Sequence, residues 1–526
     1  MMHNPKNFTS ISDYAYYYAK KQPGVEAMVL GNNRVSYAEM AQKIDDCARA
    51  LIGAGIKKGD RVATLCTPSP DFFVLFLATS SIGAVWVGLN PKYTIDELNY
   101  VVQDSRPTII FSRQKIGDRD YSEDLVTLKE GCETTQSIVI LGGVGEAGHD
   151  YSYNKFLQIY CADVSTYKLR QRQGIVEPKD PALIVYTSGT TGKPKGALLP
   201  HGGLISCCEV QNDLYPCSPL SVVNFLPINH IGCVGDISAV TLVAGGTLFF
   251  MEKFDPEASL KLMSDEKITL WGGVPTTFQM CLDLPNFDQF DLSSLKLILW
   301  SGAAASQSLA EELAKICPRL CNCYGQTETV GSIAFVLPGT DIDVLTKTIG
   351  KPPEGYDVQI VNERGEPVED GVTGEIVVKG DFVMVGYWER PEATASTIDE
   401  EGWLHTGDLG QRRPDGNISL VGRIKEVFKS GGYNVYPREI EHVLESFPGV
   451  AMAAVIPKKD DLFGEVGYAF VLAPLTEIDE RALQEHCRDH LANYKIPKKL
   501  FIRKELPILP IGKIDKQALK KTIVSK

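Results

Sequence analysis

A short apolar run, Ala182-Leu183-Ile184-Val185-Tyr186, leads straight into Thr187-Ser188-Gly189-Thr190-Thr191-Gly192-Lys193-Pro194-Lys195-Gly196. The run predicts a buried strand, and the segment after it a loop. Three glycines, four hydroxyl side chains and two lysines crowd that loop. Glycines let backbone N–H groups close on an anion, while hydroxyls and lysines add donors and positive charge. This is the chemistry of a triphosphate clamp. The G-x-x-x-x-G-K-[ST] spacing of a Walker A loop is missing, and a plain flexible linker would not carry Pro-Lys-Gly behind a strand.

A chain of 526 residues exceeds one compact core and predicts two or more domains. Its net charge of −13 argues against nucleic acid as the main partner, because phosphate backbones need a basic face. The segment Met1 to Ser10 has no apolar core of signal-peptide type. No run reaches the roughly 18 apolar residues of a membrane span, so none is expected. Thirteen cysteines, an odd and scattered set, point to reduced thiols and a cytoplasmic location. Cys321-Asn322-Cys323 has no matching second pair at zinc spacing.

Strand-like and helical patterns alternate along the first part of the chain. Tyr37–Ala54, Asp71–Ser80 and Thr94–Asp104 read as helices, and 61–65, 84–88 and 108–111 as strands. A strand over 295–300 and a helix over Gln307–Ile316 continue the pattern. Such alternation predicts parallel sheets covered by helices. From about 340 to 424, short β segments between Gly, Pro, Asp and Asn turns read as a small antiparallel sheet or barrel-like subdomain. The remainder, 425–526, reads as a compact α+β unit. The expected fold is α/β: a large N-terminal domain over 1–424, carrying the β-rich part at 340–424, then a small C-terminal domain. A literal G-x-G-x-x-G, Gly143 to Gly148, lacks the helix and following strand of a dinucleotide fingerprint and reads as a surface loop.

Further motifs follow the loop in a fixed order: Tyr324-Gly325-Gln326-Thr327-Glu328, Gly402-Trp403-Leu404-His405-Thr406-Gly407-Asp408, Gly422-Arg423-Ile424-Lys425-Glu426 and Gly512-Lys513. Together they resemble the signatures of the adenylate-forming superfamily, which holds acyl-CoA synthetases, luciferases and the adenylation domains of peptide synthetases. The resemblance covers nearly the whole chain and implies ATP, Mg²⁺ and coenzyme A as reactants and cofactors.

The resemblance also implies roles. Thr187, Ser188, Gly189, Thr190, Thr191 and Gly192, with Lys195, would hold the β- and γ-phosphates. Thr327 would bond near the α-phosphate, and Glu328, with Thr187, would hold Mg²⁺. Tyr324 would stack on adenine beside Gly302, Ala303 and Ala304. Asp408, read as lying in a turn, would accept the ribose hydroxyls, with Arg423 as a second contact. Lys513 would bridge the substrate carboxylate and the α-phosphate, although Leu509 stands where a threonine is common. Lys425 occupies the position of a hinge about which a mobile C-terminal domain turns. That rotation would exchange Lys513 for Lys429 and for Gly431 and Gly432, which would line a coenzyme A tunnel.

His230, ending Asn224-Phe225-Leu226-Pro227-Ile228-Asn229-His230, would wall an acyl pocket with Trp271, Gly273, Gly325 and Gly331. Amino-acid adenylation domains place an aspartate just after this point. Here Ile231 stands there and the nearest acid is Asp236, which disfavours an α-amino acid. The expected activity is ATP-dependent ligation of a fatty or aromatic acid to coenzyme A. A stand-alone enzyme loading a separate acyl carrier protein and a non-catalytic nucleotide-binding scaffold are the alternatives. No carrier segment follows Lys513, which favours coenzyme A.

Overall fold

The computed structural model describes residues 8–142, 150–187, 193–473, 477–508 and 514–524. Two eight-stranded sheets dominate the N-terminal part among these residues. One runs, edge to edge, Ser332–Val336, Leu320–Gly325, Leu297–Ser301, Leu270–Gly273, Ser221–Asn224, Thr247–Phe250, Glu26–Leu30 and Asn33–Ser36. Its six inner strands are parallel and both edge strands antiparallel. The other runs Gly386–Tyr387, Lys195–Pro200, Pro181–Thr187, Val85–Leu89, Arg61–Leu65, Ile109–Ser112, Ser137–Ile140 and Tyr151–Ser152. It is parallel from Pro181–Thr187 onward.

A parallel sheet buries both faces, and the helix Pro70–Ser81 shows how the two sheets share one core. Every residue of that helix except Asp71 is buried, so it reads as a continuous apolar run instead of an amphipathic one. Phe72 meets Trp86 of one sheet at 6.1 Å and Phe250 of the other at 5.7 Å. Capping boxes set the starts of neighbouring helices. Ser36 pairs with Glu39 ahead of Tyr37–Gly53, and Thr94 with Glu97 ahead of Ile95–Ser105.

The β-rich part is an antiparallel sheet of Asp357–Val361, Thr373–Lys379, Leu404–Arg412 and Ile418–Arg423, in that order. Its first and last strands do not pair among the described residues, so it is an open sheet. Four strands are too few to close around packed side chains. The C-terminal unit has a core of its own. Its sheet is built from 428–430, 433–435, Met452–Asp460, Gly464–Leu472 and Lys499–Arg503. Helices Pro437–Glu445 and Glu480–His490 pack through one cluster, and Lys516–Val524 packs through a separate one made with Ala454, Ile456 and Phe470. Lys516 ties this last helix to Glu426 at 2.5 Å and to Glu441 at 2.8 Å. All thirteen cysteines are free thiols. Among the described residues no helix is long and apolar enough to cross a membrane. The segment Gly143 to Gly148 lies outside the described residues.

Candidate functional site

The carboxyl ends of the central strands open onto one cavity of about 1220 Å³. Thr187, Gly273, Ser301 and Gly325, each the last residue of its strand, stand on its wall. This is where open parallel sheets place ligands, because helix-bearing loops diverge there and leave a crevice. The wall gathers Lys195, Thr327, Glu328, Gly302, His230, Gly273, Gly325, Gly331, Arg423 and Lys425 from across the chain. Ser188 to Gly192 and Lys513 lie outside the described residues.

Thr187 and Lys195 face one another across the hairpin that carries the glycine-rich loop. Thr187 Oγ1 donates to Glu328 Oε1 at 3.5 Å. Glu328 sits in the 3-10 turn Thr327–Thr329, and its carbonyl accepts the Met384 N–H at 2.9 Å. The strand Gly386–Tyr387 pairs with Lys195–Pro200, bringing Tyr387 beside this group. The Tyr387 hydroxyl donates to Glu328 Oε1 at 2.7 Å, and Lys195 Nζ lies 4.9 Å from the Tyr387 ring centre. Burial and the Glu328 carboxylate hold the Tyr387 phenol well above its ordinary pKa, so it stays a donor. The result is two hard oxygen groups beside a lysine.

A second group lies next to this one. Asp408 is buried; it accepts the Tyr324 hydroxyl at 2.6 Å and pairs with Arg423 Nε at 2.9 Å. Asp408 was expected in a turn, but it stands inside the strand Leu404–Arg412, opposite Arg423. Gly407, at φ +71°, kinks that strand without ending it, and the ladder shifts register after Leu409. The kink aims the carboxylate inward. Tyr324 and Asp408 stay off the cavity wall, whereas Gly325 and Arg423 are on it. Gly302 reaches the wall at φ +83°. Ala303, half-buried, and Ala304, exposed, lie beyond it.

In the apolar part of the cavity, His230 accepts the Gly232 N–H through Nδ1 at 3.0 Å. In the neutral imidazole the proton is then on Nε2. Trp271 does not wall this chamber. Side chains alternate along the strand Leu270–Gly273, so Leu270 and Gly272 face the cavity and Trp271 points to the far side of the sheet. There it packs edge-on against Phe278 at 5.0 Å in a separate core. Lys425 is on the wall, in the turn Ile424–Glu426. Lys429, Gly431 and Gly432 are exposed and off it. Both glycines have positive φ, and the Gly431 N–H donates to the Phe463 carbonyl at 2.9 Å.

Two wall residues escaped the sequence reading of the site. Tyr387 belongs to no spacing pattern around Glu328, because only strand pairing unites them. Asp236 gave a signal, a single carboxylate inside an otherwise apolar run, yet it was weighed only as an ammonium ligand.

The family model of AMP-binding enzymes matches residues 16–388, and that of the AMP-binding enzyme C-terminal domain matches residues 439–513. Feruloyl-CoA synthase of an Amycolatopsis species is 33% identical over 95% of this chain and 96% of that protein. Indoleacetate–CoA ligase of Aromatoleum aromaticum is 30% identical over 98% of each. The crystal structure of ATP-bound MatB from Rhodopseudomonas palustris superposes with a TM-score of 0.83 at 30% identity, covering 98% of this chain and 99% of that one. The chain therefore belongs to the AMP-binding enzymes, the adenylate-forming superfamily that its motifs resemble.

Proposed function

We propose that this protein is an ATP-dependent carboxylic acid:CoA ligase of the AMP-forming type, acting on an acid with an apolar or aromatic body. The observation that carries this reading is the single cavity joining a cationic, hydroxyl-rich end at Thr187, Lys195 and Glu328 to an apolar chamber at Leu226, His230 and Leu270. The relatives named as CoA ligases support it over almost the full chain.

In the first step a carboxylate oxygen attacks the α-phosphorus of ATP, the α–β anhydride bond breaks and pyrophosphate leaves. Two anions must meet, so cations must face the developing charge. The loop from Thr187 to Gly192, with Lys195, holds the β- and γ-phosphates; Thr327 bonds near the α-phosphate. Glu328 and Thr187 would supply hard oxygens to a Mg²⁺ ion, which when bound would neutralise phosphate charge. Tyr387 holds the Glu328 carboxylate in place. Tyr324, Asp408 and Arg423 act as one unit toward the nucleoside, and Lys513 bridges carboxylate and α-phosphate.

In the second step the coenzyme A thiol attacks the acyl carbon and AMP leaves. Lys429, Gly431 and Gly432 serve this step after the unit 425–526 turns about Lys425 and brings them to the site in place of Lys513. Free thiols throughout suit a reducing compartment such as cytoplasm.

The test is pyrophosphate release with ATP and Mg²⁺ across short-, medium- and long-chain and aromatic acids, each with and without coenzyme A. Release sustained only with coenzyme A, with acyl-CoA accumulating, is the expected result. One stoichiometric burst that coenzyme A cannot prolong points to a carrier-protein acceptor instead, and no release with any acid overturns the reading.

A further inference from the structure

Asp236 sets a carboxylate among apolar lining residues of the cavity, and its placement is unusual. Asp236 belongs to the π-helical turn Gly232–Ala239, which lies across the cavity wall with Gly232, Ile237, Val240 and Thr241 also facing inward. π-Helical turns are rare and are frequently found at functional sites. Asp236 Oδ1 comes so close to Gly331 that a Cβ added there would sit 3.4 Å away. Burial raises the thiol pKa values of Cys207 and Cys323, and both lie close enough to Asp236 for its charge to add to that rise. Among the described residues Asp236 forms no ion pair, and its backbone carbonyl, not its carboxylate, receives the Gln211 amide at 3.3 Å. Asp236 is half-buried where it faces the cavity, and desolvation pushes its carboxyl up to about 6. At neutral pH it is a charged acceptor facing the chamber with neither cation nor donor assigned to it.

Depth fixes which part of a ligand it meets. The rim of the chamber is Gly273, Ser301 and Gly325; Leu270, Leu299 and Cys323 lie two or three residues further back on the same strands. At about 3.3 Å per residue the inner layer is roughly 7–10 Å below the rim, about the length of an aromatic ring with a short side arm. Asp236 stands between the rim and that inner layer: its Oδ1 lies near Gly331, and its charge reaches Cys323.

Resting on the ligase reading above, we infer that Asp236 selects the acid: the substrate carries a hydrogen-bond donor, a hydroxyl or an amino group, at the end opposite its carboxyl group. An acceptor buried in apolar surroundings rejects a ligand that cannot satisfy it more strongly than a merely apolar wall rejects a misfit. A plain alkyl chain or an unsubstituted ring would leave this carboxylate buried and unpaired.

The experiment compares 4-hydroxycinnamic, 4-aminocinnamic, 4-methoxycinnamic and unsubstituted cinnamic acids in the wild-type protein, D236N and D236V. The readouts are pyrophosphate release with coenzyme A and equilibrium dialysis of each acid. The wild type is expected to favour a donor-bearing acid over the unsubstituted and methoxy acids by about 10- to 100-fold in kcat/KM. D236V should collapse that ratio, and D236N should reduce it. The phenol O–H and the aniline N–H are both neutral donors near neutral pH, so preference for either one over the donor-free acids supports the inference. Equal use of donor-bearing and donor-free acids, or a ratio that neither substitution moves, overturns it. If no acid releases pyrophosphate, the ligase reading fails instead, and dialysis still decides whether Asp236 discriminates.

Discussion

The Tyr387 hydroxyl donates to Glu328 Oε1 at 2.7 Å across 59 positions of sequence, while Lys195 lies against the same tyrosine ring. The tyrosine thereby orients the carboxylate at the cationic end of the cavity and fixes the lysine beside it. Removing that hydroxyl leaves the longer Thr187 bond, at 3.5 Å, to orient Glu328. Y387F is expected to lower acid-dependent ATP–pyrophosphate exchange about 10- to 100-fold, the usual cost of losing a partner that orients a metal-binding group. The Mg²⁺ concentration for half-maximal exchange should rise with it. Unchanged Mg²⁺ dependence would contradict the positioning role.

Tyr324 does a comparable task for Asp408. The carboxylate is buried and shares its hydrogen bonds between the tyrosine hydroxyl and Arg423. Y324F should destabilise the protein by about 1–3 kcal/mol, since a buried charged acceptor loses a donor. It should raise KM for ATP while leaving KM for the acid unchanged, because Asp408 stands away from the apolar chamber. A rise in both would place the pair elsewhere in the reaction.

Gly325 tests the wall of the cavity by shape alone. A Cβ at this position would fall 2.1 Å from the Gly331 carbonyl oxygen, on backbone just ahead of the neighbouring strand Ser332–Val336. That backbone cannot yield without breaking the pairing of Gly325 with Ser332. G325A is expected to lower the melting temperature and abolish acid-dependent exchange together.

Asp236 makes stability depend on pH with a definite sign. Its carboxyl is raised from the ordinary carboxylate range to about 6 by burial. Below about pH 4 it is neutral folded and unfolded, and burial carries no charge penalty. As pH rises from 4 toward 6 the unfolded chain ionises more readily, so stability is lost across that window. D236N removes the penalty. Its stability relative to wild type should therefore improve by up to about 3 kcal/mol between pH 4 and pH 7, read from urea midpoints at both values. A pH-independent difference would show that the carboxylate is solvated.

Much of this was legible in the sequence, and the physical reason differs from place to place. Alternating strands and helices carry local periodicity, so Arg61–Leu65 and Gln307–Ile316 fall where the pattern puts them. The motifs after Tyr186 and at Tyr324 to Glu328 stood out in the sequence because each lies at a strand end, where composition departs sharply from the apolar run before it. Trp271 was misplaced because a motif does not state which face of a strand a residue occupies; only the alternation with Leu270 and Gly272 does. Asp408 was misplaced because Gly407 bends a strand in the same residues that would also make a turn. Tyr387 was invisible because its partnership with Glu328 arises from strand pairing, which single-sequence patterns do not encode.

The most direct test of the account separates its two half-reactions. K513A, given ATP, Mg²⁺ and an acid that the wild type uses, should form no acyl-adenylate in a single turnover. Given the synthetic acyl-adenylate and coenzyme A, the same variant should form acyl-CoA at close to the wild-type rate, while K429A should show the opposite pattern. Equal loss of both half-reactions in either variant would contradict a site that exchanges one lysine for another between adenylation and thioester formation.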